Sequence, residues 1–427
     1  MRFYRILAVV LFCGILSNNC NAQNFGGGLI AGVSTSQVAG DMLGGFNKIG
    51  FLTGAYTSLN VKENIKTIIV KKPLKLDCGK TINNYHLAYE TYGTLNEKKD
   101  NAILVFHALS GDQFVSGTNP ITNKSGWWSY AVGPDKAIDT NKFFVICANI
   151  IGGCMGSYGP NSMDSKTNKT VGTNFPVITI NDMVNAQYNL LEFFKIDKLF
   201  SVTGGSMGGM QVLQFVANFP DKTKTAIPIA CTASHSAQNI ALNELGRQAI
   251  MADQNWNNGN YFNTGSSPNN GLAVARMAAH ITYLSKKSLE DKFGRKLQER
   301  DDIKFSFDAD FQIESYLRHQ GNAFVDRFDA NSYLYITRAM DYFDLIKQYN
   351  GNLSNAFKDS KTKFFIISFT SDWLYPTSEN KEIVIALNAA GADVGFIEIT
   401  SDKGHDSFLL DVPDFLRSVR NFLEANY

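Results

Sequence analysis

The sequence predicts an α/β fold, a doubly wound and mostly parallel sheet that carries an inserted helical lid. Three observations predict it. Short continuous apolar runs alternate with amphipathic helical patterns along most of the chain. Those runs lack a polar face, as expected of strands covered on both sides. The alternation lapses once, for roughly a hundred residues in which helical periodicity persists, and an open loop of that length is rare in a compact domain. With 427 residues, 44% hydrophobic and 19% charged, the chain can bury a substantial core and is not of the disordered class.

Taken in order, Arg2 and Arg5 precede an apolar run over 6–16, then polar residues and Ala22. This is the order of a secretory signal peptide cleaved after Ala22, and the run is shorter than the about 20 residues a spanning helix needs. Residues 24–61 are rich in glycine and are expected to pair as a hairpin around 41–47. That segment resembles the opening hairpin of a small outer-membrane β-barrel, but the sequence beyond it lacks the further strands a barrel requires. It therefore reads as a leader or as a remnant fused to an unrelated enzyme. The expected domains are 1–22 (signal peptide), 23–62 (glycine-rich segment) and 63–427 (catalytic domain, lid at about 232–345).

Within the catalytic domain, 66–70 and 85–92 form an antiparallel lead-in pair. Strands follow at 102–107, 143–149, 199–203, 225–230, 364–369 and 395–400, with helices at 181–194, 207–219, 379–389 and 413–425. The lid contributes helical patterns at 241–252, 272–284, 313–322 and 330–342 around a polar loop at 255–270.

Forty basic residues against thirty-nine acidic give a net charge of +1, so neither nucleic acid nor an anionic membrane is an expected partner. Six dispersed cysteines without a C-x-x-C pair indicate no zinc or redox site, and no metal or bound cofactor is expected.

The chemistry centres on Gly204-Gly205-Ser206-Met207-Gly208, a G-x-S-x-G sequence between a strand and a helix pattern. In that context the serine sits on a tight turn with its Oγ presented above the sheet, at a helix N-terminus that favours negative charge. A serine nucleophile needs a base and an acid that orients the base, in the chain order Ser, Asp or Glu, His for an α/β-hydrolase. His405 and Asp372 fall just past late strands in that order. Stabilising the oxyanion needs two backbone N–H groups. Met207 supplies one by position, and Leu109, on the loop after an early strand, is the candidate for the other.

Several stretches then carry a family resemblance: His107-Ala108-Leu109-Ser110-Gly111-Asp112, Gly126-Trp127-Trp128, Gly152-Gly153-Cys154-Met155-Gly156, Gly204 to Gln211, Ala275 to Leu284, Arg327 to Leu334, Ser371-Asp372-Trp373-Leu374 and Gly404 to Leu409. Together they resemble the homoserine O-acetyltransferases of the α/β-hydrolase type, over roughly residues 65–427. The resemblance implies transfer of an acetyl group from the co-substrate acetyl-CoA to L-homoserine for methionine biosynthesis, by a cytoplasmic homodimer. It implies Ser206 as nucleophile, His405 as general base and acid, and Asp372 as the residue orienting the imidazole. Arg276 and Asp406 match the homoserine-binding positions, in keeping with a zwitterion's need for a cation and an anion. Trp127 and Trp128 read first as ordinary core residues, with narrowing of the entrance to a water-excluding tunnel, together with the helical insertion, as the alternative. The loops at 156–159 and 180–182 depart modestly from the family pattern and bear on donor preference. A homoserine or serine O-succinyltransferase, an exported serine esterase and an outer-membrane structural or binding protein are the alternatives. The signal-like residues 1–22 conflict with the cytoplasm.

Overall fold

Strands that are apolar on both faces can be satisfied only between two layers. The computed structural model, which describes residues 25–37, 47–59, 65–164, 166–298 and 301–427, has that arrangement. Eight strands form the main sheet: β1 (Thr67–Val70), β2 (Tyr85–Tyr92), β3 (Ala102–Val105), β4 (Phe144–Ala148), β5 (Leu199–Gly205), β6 (Thr223–Ile229), β7 (Lys363–Phe369) and β8 (Val394–Ile399). Their spatial order is β1-β2-β4-β3-β5-β6-β7-β8. Neighbours from β4 to β8 are parallel, while β2 runs antiparallel to both β4 and β1.

The principal helices are α1 (Ile180–Phe194), α2 (Met207–Asn218), α3 (Ala237–Ala252), α4 (Asn269–Tyr283), α5 (Gln312–Val325), α6 (Ala330–Asp341), α7 (Thr377–Ala389) and α8 (Pro413–Ala425). Alternate strand residues feed two cores. Leu104, Ile146, Val202 and Ile366 join Met183 and Leu190 of α1, Val212 and Phe215 of α2 and Leu387 of α7. Their neighbours Ile103, Val105, Val145, Ile227 and Ile367 turn the other way, onto Phe415, Val419 and Leu423 of α8.

Helices α3 to α6 form the insertion between β6 and β7. The first begins four residues before its apolar periodicity, because the Ser236 hydroxyl caps it by accepting from the Asn239 N–H at 3.3 Å. Within the polar loop lies a 3-10 stretch, Gln254–Gly259. The lid has a narrow neck: the Leu345 N–H donates to the Ala233 carbonyl at 2.9 Å and the His235 N–H to the Phe343 carbonyl at 3.1 Å.

The chain divides into two compact units between Asn64 and Ile65. In the first, strands Phe25–Gln37 and Asn47–Leu59 pair antiparallel, from Phe25 opposite Leu59 to Gln37 opposite Asn47. The expected signal peptide at 1–22 lies outside the described residues. Among the described residues, no helix is long and apolar enough to cross a membrane.

Phe415 is fully buried and meets Phe369 edge to face at 5.6 Å. Phe415→Ala should therefore cost about 3–5 kcal/mol in denaturant-induced unfolding.

Candidate active site

The turn from β5 into α2 places Ser206 at φ 60°, ψ −125°, a left-handed conformation that L-residues avoid. The Ser206 N–H donates to the Ile229 carbonyl on β6 at 2.9 Å, which anchors the turn to the sheet. Glycine is required on both sides. A Cβ on Gly208 would lie 2.2 Å from the Phe106 carbonyl oxygen, and one on Gly205 would lie 2.5 Å from the Phe408 ring. Ser206 is thus held at the carboxyl end of β5 under the turn that carries Phe408, the 3-10 segment Gly404–Leu409.

That segment also presents His405. Its Nδ1 lies 2.7 Å from Oδ2 of Asp372, with both side chains buried. The other Asp372 oxygen accepts from the Leu374 and Tyr375 N–H groups, each at 3.0 Å. An acceptor-only carboxylate at Nδ1 puts the proton there and leaves Nε2 with its lone pair. Burial works to lower the His405 pKa, but Asp372, with Asp406 beyond it, outweighs burial, and the imidazole sits above its ordinary value.

The loop after β3 is fixed by His107. Its Nδ1 meets the Ala108 carbonyl at 2.8 Å, and its Nε2 accepts from the Ile150 N–H at 3.2 Å, so the ring is neutral with its proton on Nδ1. Burial drives its pKa down to about 4. From α2, the Gln211 amide donates to the His107 carbonyl at 3.2 Å, joining the loop to the helix that follows Ser206. Among the described residues the Leu109 N–H has no protein acceptor, and the Met207 N–H, at the first position of α2, has no intrahelical one. Leu109 lines the same cavity as Ser206.

Arg276 of α4 lies over Phe324 at 4.6 Å and over Tyr283 at 5.5 Å, with Nη1 3.4 Å from the Ser110 hydroxyl. Among the described residues it has no carboxylate within ion-pair distance. Asp406, next to His405, has its pKa pushed up to about 6 by burial, against the pull of His405 and Arg276. Arg276 and His405 both act electrostatically on Asp406, and neither Arg276 nor Asp406 has an ion-pair partner within 4.0 Å among the described residues.

Of the expected site residues, the structure joins Asp372 to His405, puts Leu109 on the cavity that Ser206 lines, and sets Arg276 against Ser110 of the Leu109 loop. Trp128 is buried in the core, stacked on Trp127 at 5.4 Å, so the core reading holds for it and the tunnel alternative does not. Its indole N–H donates to the Phe408 carbonyl at 2.7 Å, while that of Trp127 donates to the Asp112 carbonyl at 2.8 Å. The pair pins the histidine turn and the Leu109 loop from below. Sequence reasoning also passed over Arg327, whose Nη1 donates to the Ser110 carbonyl at 2.9 Å. Its presence in one of the quoted motifs was the available signal. Among the described residues, no cluster of three or more His, Cys, Asp and Glu side chains is arranged to hold a metal.

Residues 101–412 match the α/β hydrolase fold family. A relative from Pelagibacter ubique (strain HTCC1062), named homoserine O-acetyltransferase, is 77% identical over 369 residues, covering 86% of this chain and 99% of the relative. A crystal structure of homoserine O-acetyltransferase from Bacillus anthracis superposes with a TM-score of 0.76 at 27% identity, covering 84% of this chain and 96% of that one. The crystal structure of esterase E22 gives 0.75 at 29% identity, covering 84% and 99%.

Replacing Asp372 by Asn removes the charge that outweighs burial at His405. The imidazole pKa should then fall below the ordinary value of about 6.5, as followed by NMR titration of the ring.

Proposed function

The chain belongs to the homoserine O-acetyltransferase family of the α/β-hydrolase fold, and on that premise we propose that it moves an acetyl group from acetyl-CoA to the hydroxyl of L-homoserine through an acyl-serine, giving O-acetyl-L-homoserine for methionine biosynthesis. The observation that carries this beyond a generic hydrolase is the Arg276 and Asp406 pair. A guanidinium and a carboxylate that influence each other yet have no ion-pair partner among the described residues, the carboxylate next to His405, suit the carboxylate and ammonium of a free amino acid.

In this mechanism His405 Nε2 takes the Ser206 proton as Oγ attacks the thioester carbonyl. The oxyanion accepts hydrogen bonds from the Leu109 and Met207 N–H groups. The C–S bond breaks, His405 returns the proton to the departing sulfur, and acetyl-Ser206 remains. Homoserine then binds between Arg276 and Asp406. Its hydroxyl gives a proton to His405 and attacks the acetyl carbonyl, and collapse of the second tetrahedral species breaks the bond to Ser206 Oγ, which regains its proton. Asp372 keeps the imidazole in the required tautomer throughout.

Transfer competes with water at about 55 M, so the acceptor must be positioned and the site kept dry. The cavity beside Ser206 measures about 40 Å³, room for roughly three waters. Exposed apolar lid side chains, among them Leu245, Val274 and Ile281, offer a surface for a second copy, so the working form is taken as a homodimer. Its donor, acetyl-CoA, is a cytosolic metabolite, which places the reaction in the cytoplasm.

The test follows free-thiol release from acetyl-CoA or succinyl-CoA with and without homoserine. Homoserine-dependent release with acetyl-CoA is expected, and Ser206→Ala should lower it at least about 10³-fold. Release indifferent to homoserine, beside ready ester cleavage, would overturn the reading in favour of an esterase.

A pH dependence follows from Asp406, whose raised pKa of about 6 means that the anion is present above that pH and lost below it. Both half-reactions need neutral His405, so its titration cancels in their ratio. The ratio of homoserine transfer to acylation by p-nitrophenyl acetate should fall as pH drops through about 6.

A further inference from the structure

A second buried aspartate-histidine pair lies across the neck of the lid. His235, on the chain entering the insertion, has Nδ1 3.3 Å from Oδ1 of Asp341, at the end of α6 on the chain leaving it. Asn243 of α3 donates to the same oxygen at 2.7 Å, and Arg247 of α3 pairs with the other at 2.7 Å. On its far side, His235 Nε2 lies 2.8 Å from the Tyr375 hydroxyl. Asp341 accepts at Nδ1, so the neutral ring accepts the Tyr375 O–H at Nε2.

Tyr375 in turn touches both members of the acid-base pair. Its N–H donates to Asp372 at 3.0 Å, and its ring packs on the His405 ring at 5.2 Å. A parallel tie joins Asn239 of α3 to the Leu374 carbonyl at 3.2 Å. His235, Arg247, Asn239 and Tyr375 are all buried, and His235, Asn243 and Tyr375 line the cavity that Ser206 opens into. The reaction as derived uses none of them, although polar groups so deeply buried are costly to maintain unless fully paired.

We propose that Asp341, His235 and Tyr375 form a latch through which the lid neck positions the catalytic histidine. His235 and Tyr375 are positioning residues: they hold the Asp372 loop and the face of His405 in register with Ser206. The latch rests on the transferase reading for its purpose, because it makes the geometry of His405 depend on a seated lid and so on a covered site. Its action on His405 holds for any acylation of Ser206.

The test uses the full chain with Tyr375→Phe, His235→Gln and His235→Ala. The p-nitrophenol burst from p-nitrophenyl acetate reads acylation without coenzyme A or homoserine, and steady-state thiol release reads the whole cycle. Tyr375→Phe and His235→Ala should each slow the burst and kcat together by about tenfold, the loss expected for one well-placed hydrogen bond, with the homoserine KM within about twofold. His235→Gln, whose side-chain carbonyl oxygen can still accept the Tyr375 O–H, should recover part of the loss. Phe415→Ala, buried but remote from this neck, should lower the unfolding temperature and leave the burst rate unchanged. An unaltered burst in Tyr375→Phe and His235→Ala, or a rise in homoserine KM alone, would overturn the latch. If Tyr375→Phe fails to fold, the two His235 variants decide the question. If thiol release proves indifferent to homoserine, the transferase reading fails while the burst still tests the latch, because it requires only Ser206 and His405.

Discussion

Ser206 occupies a backbone conformation that costs about 1–3 kcal/mol, and that strain persists only where the surroundings over-determine it. Here they do so by close approach. Gly208 lets α2 come so near β3 that the Phe106 carbonyl stands where a side chain would be, and Gly205 leaves room for the Phe408 ring. The same approach brings the Leu109 loop, which starts just beyond Phe106, alongside the helix end beneath Ser206. The strained serine, the placement of the Leu109 loop and the approach of the histidine turn are therefore consequences of one tight junction between β3, β5 and α2.

Around that junction the buried polar groups are paired with few exceptions. The Asp372 carboxylate is buried, yet two backbone N–H groups and His405 satisfy it. Buried His107 accepts at one nitrogen and donates at the other. Two tryptophans spend their indole N–H groups on the carbonyls of the two catalytic loops. Against that background the guanidinium of Arg276 stands out as having no carboxylate within 4.0 Å among the described residues.

The relation to an esterase at 29% identity and a TM-score of 0.75 shows how little of the distinction between hydrolysis and transfer lies in the fold. The same sheet serves both. What separates them physically is whether water or a positioned alcohol reaches the acyl-enzyme.

Much of this was legible in the sequence, because local physics wrote it there. Strands buried on both faces must be apolar throughout, so β3 to β7 stood out as runs. A serine on so tight a turn needs small neighbours, so Gly204 to Gly208 marked the nucleophile. The order of Asp372 and His405 after it followed from strands ending at one edge of the sheet. Other features had no local signature. A tryptophan whose indole N–H reaches the Phe408 carbonyl, 280 residues away, reads in sequence only as a large apolar residue. His235 and Asp341 are separated by 106 residues and meet only because the lid leaves and re-enters the sheet through one narrow neck. The sequence by itself determined the strands, the helices and the tight turn that carries Ser206, since periodicity and turn chemistry act over a few residues. Tertiary structure alone decided which buried polar groups find each other, because hydrogen bonds are made in space and their partners come from segments that no local pattern connects.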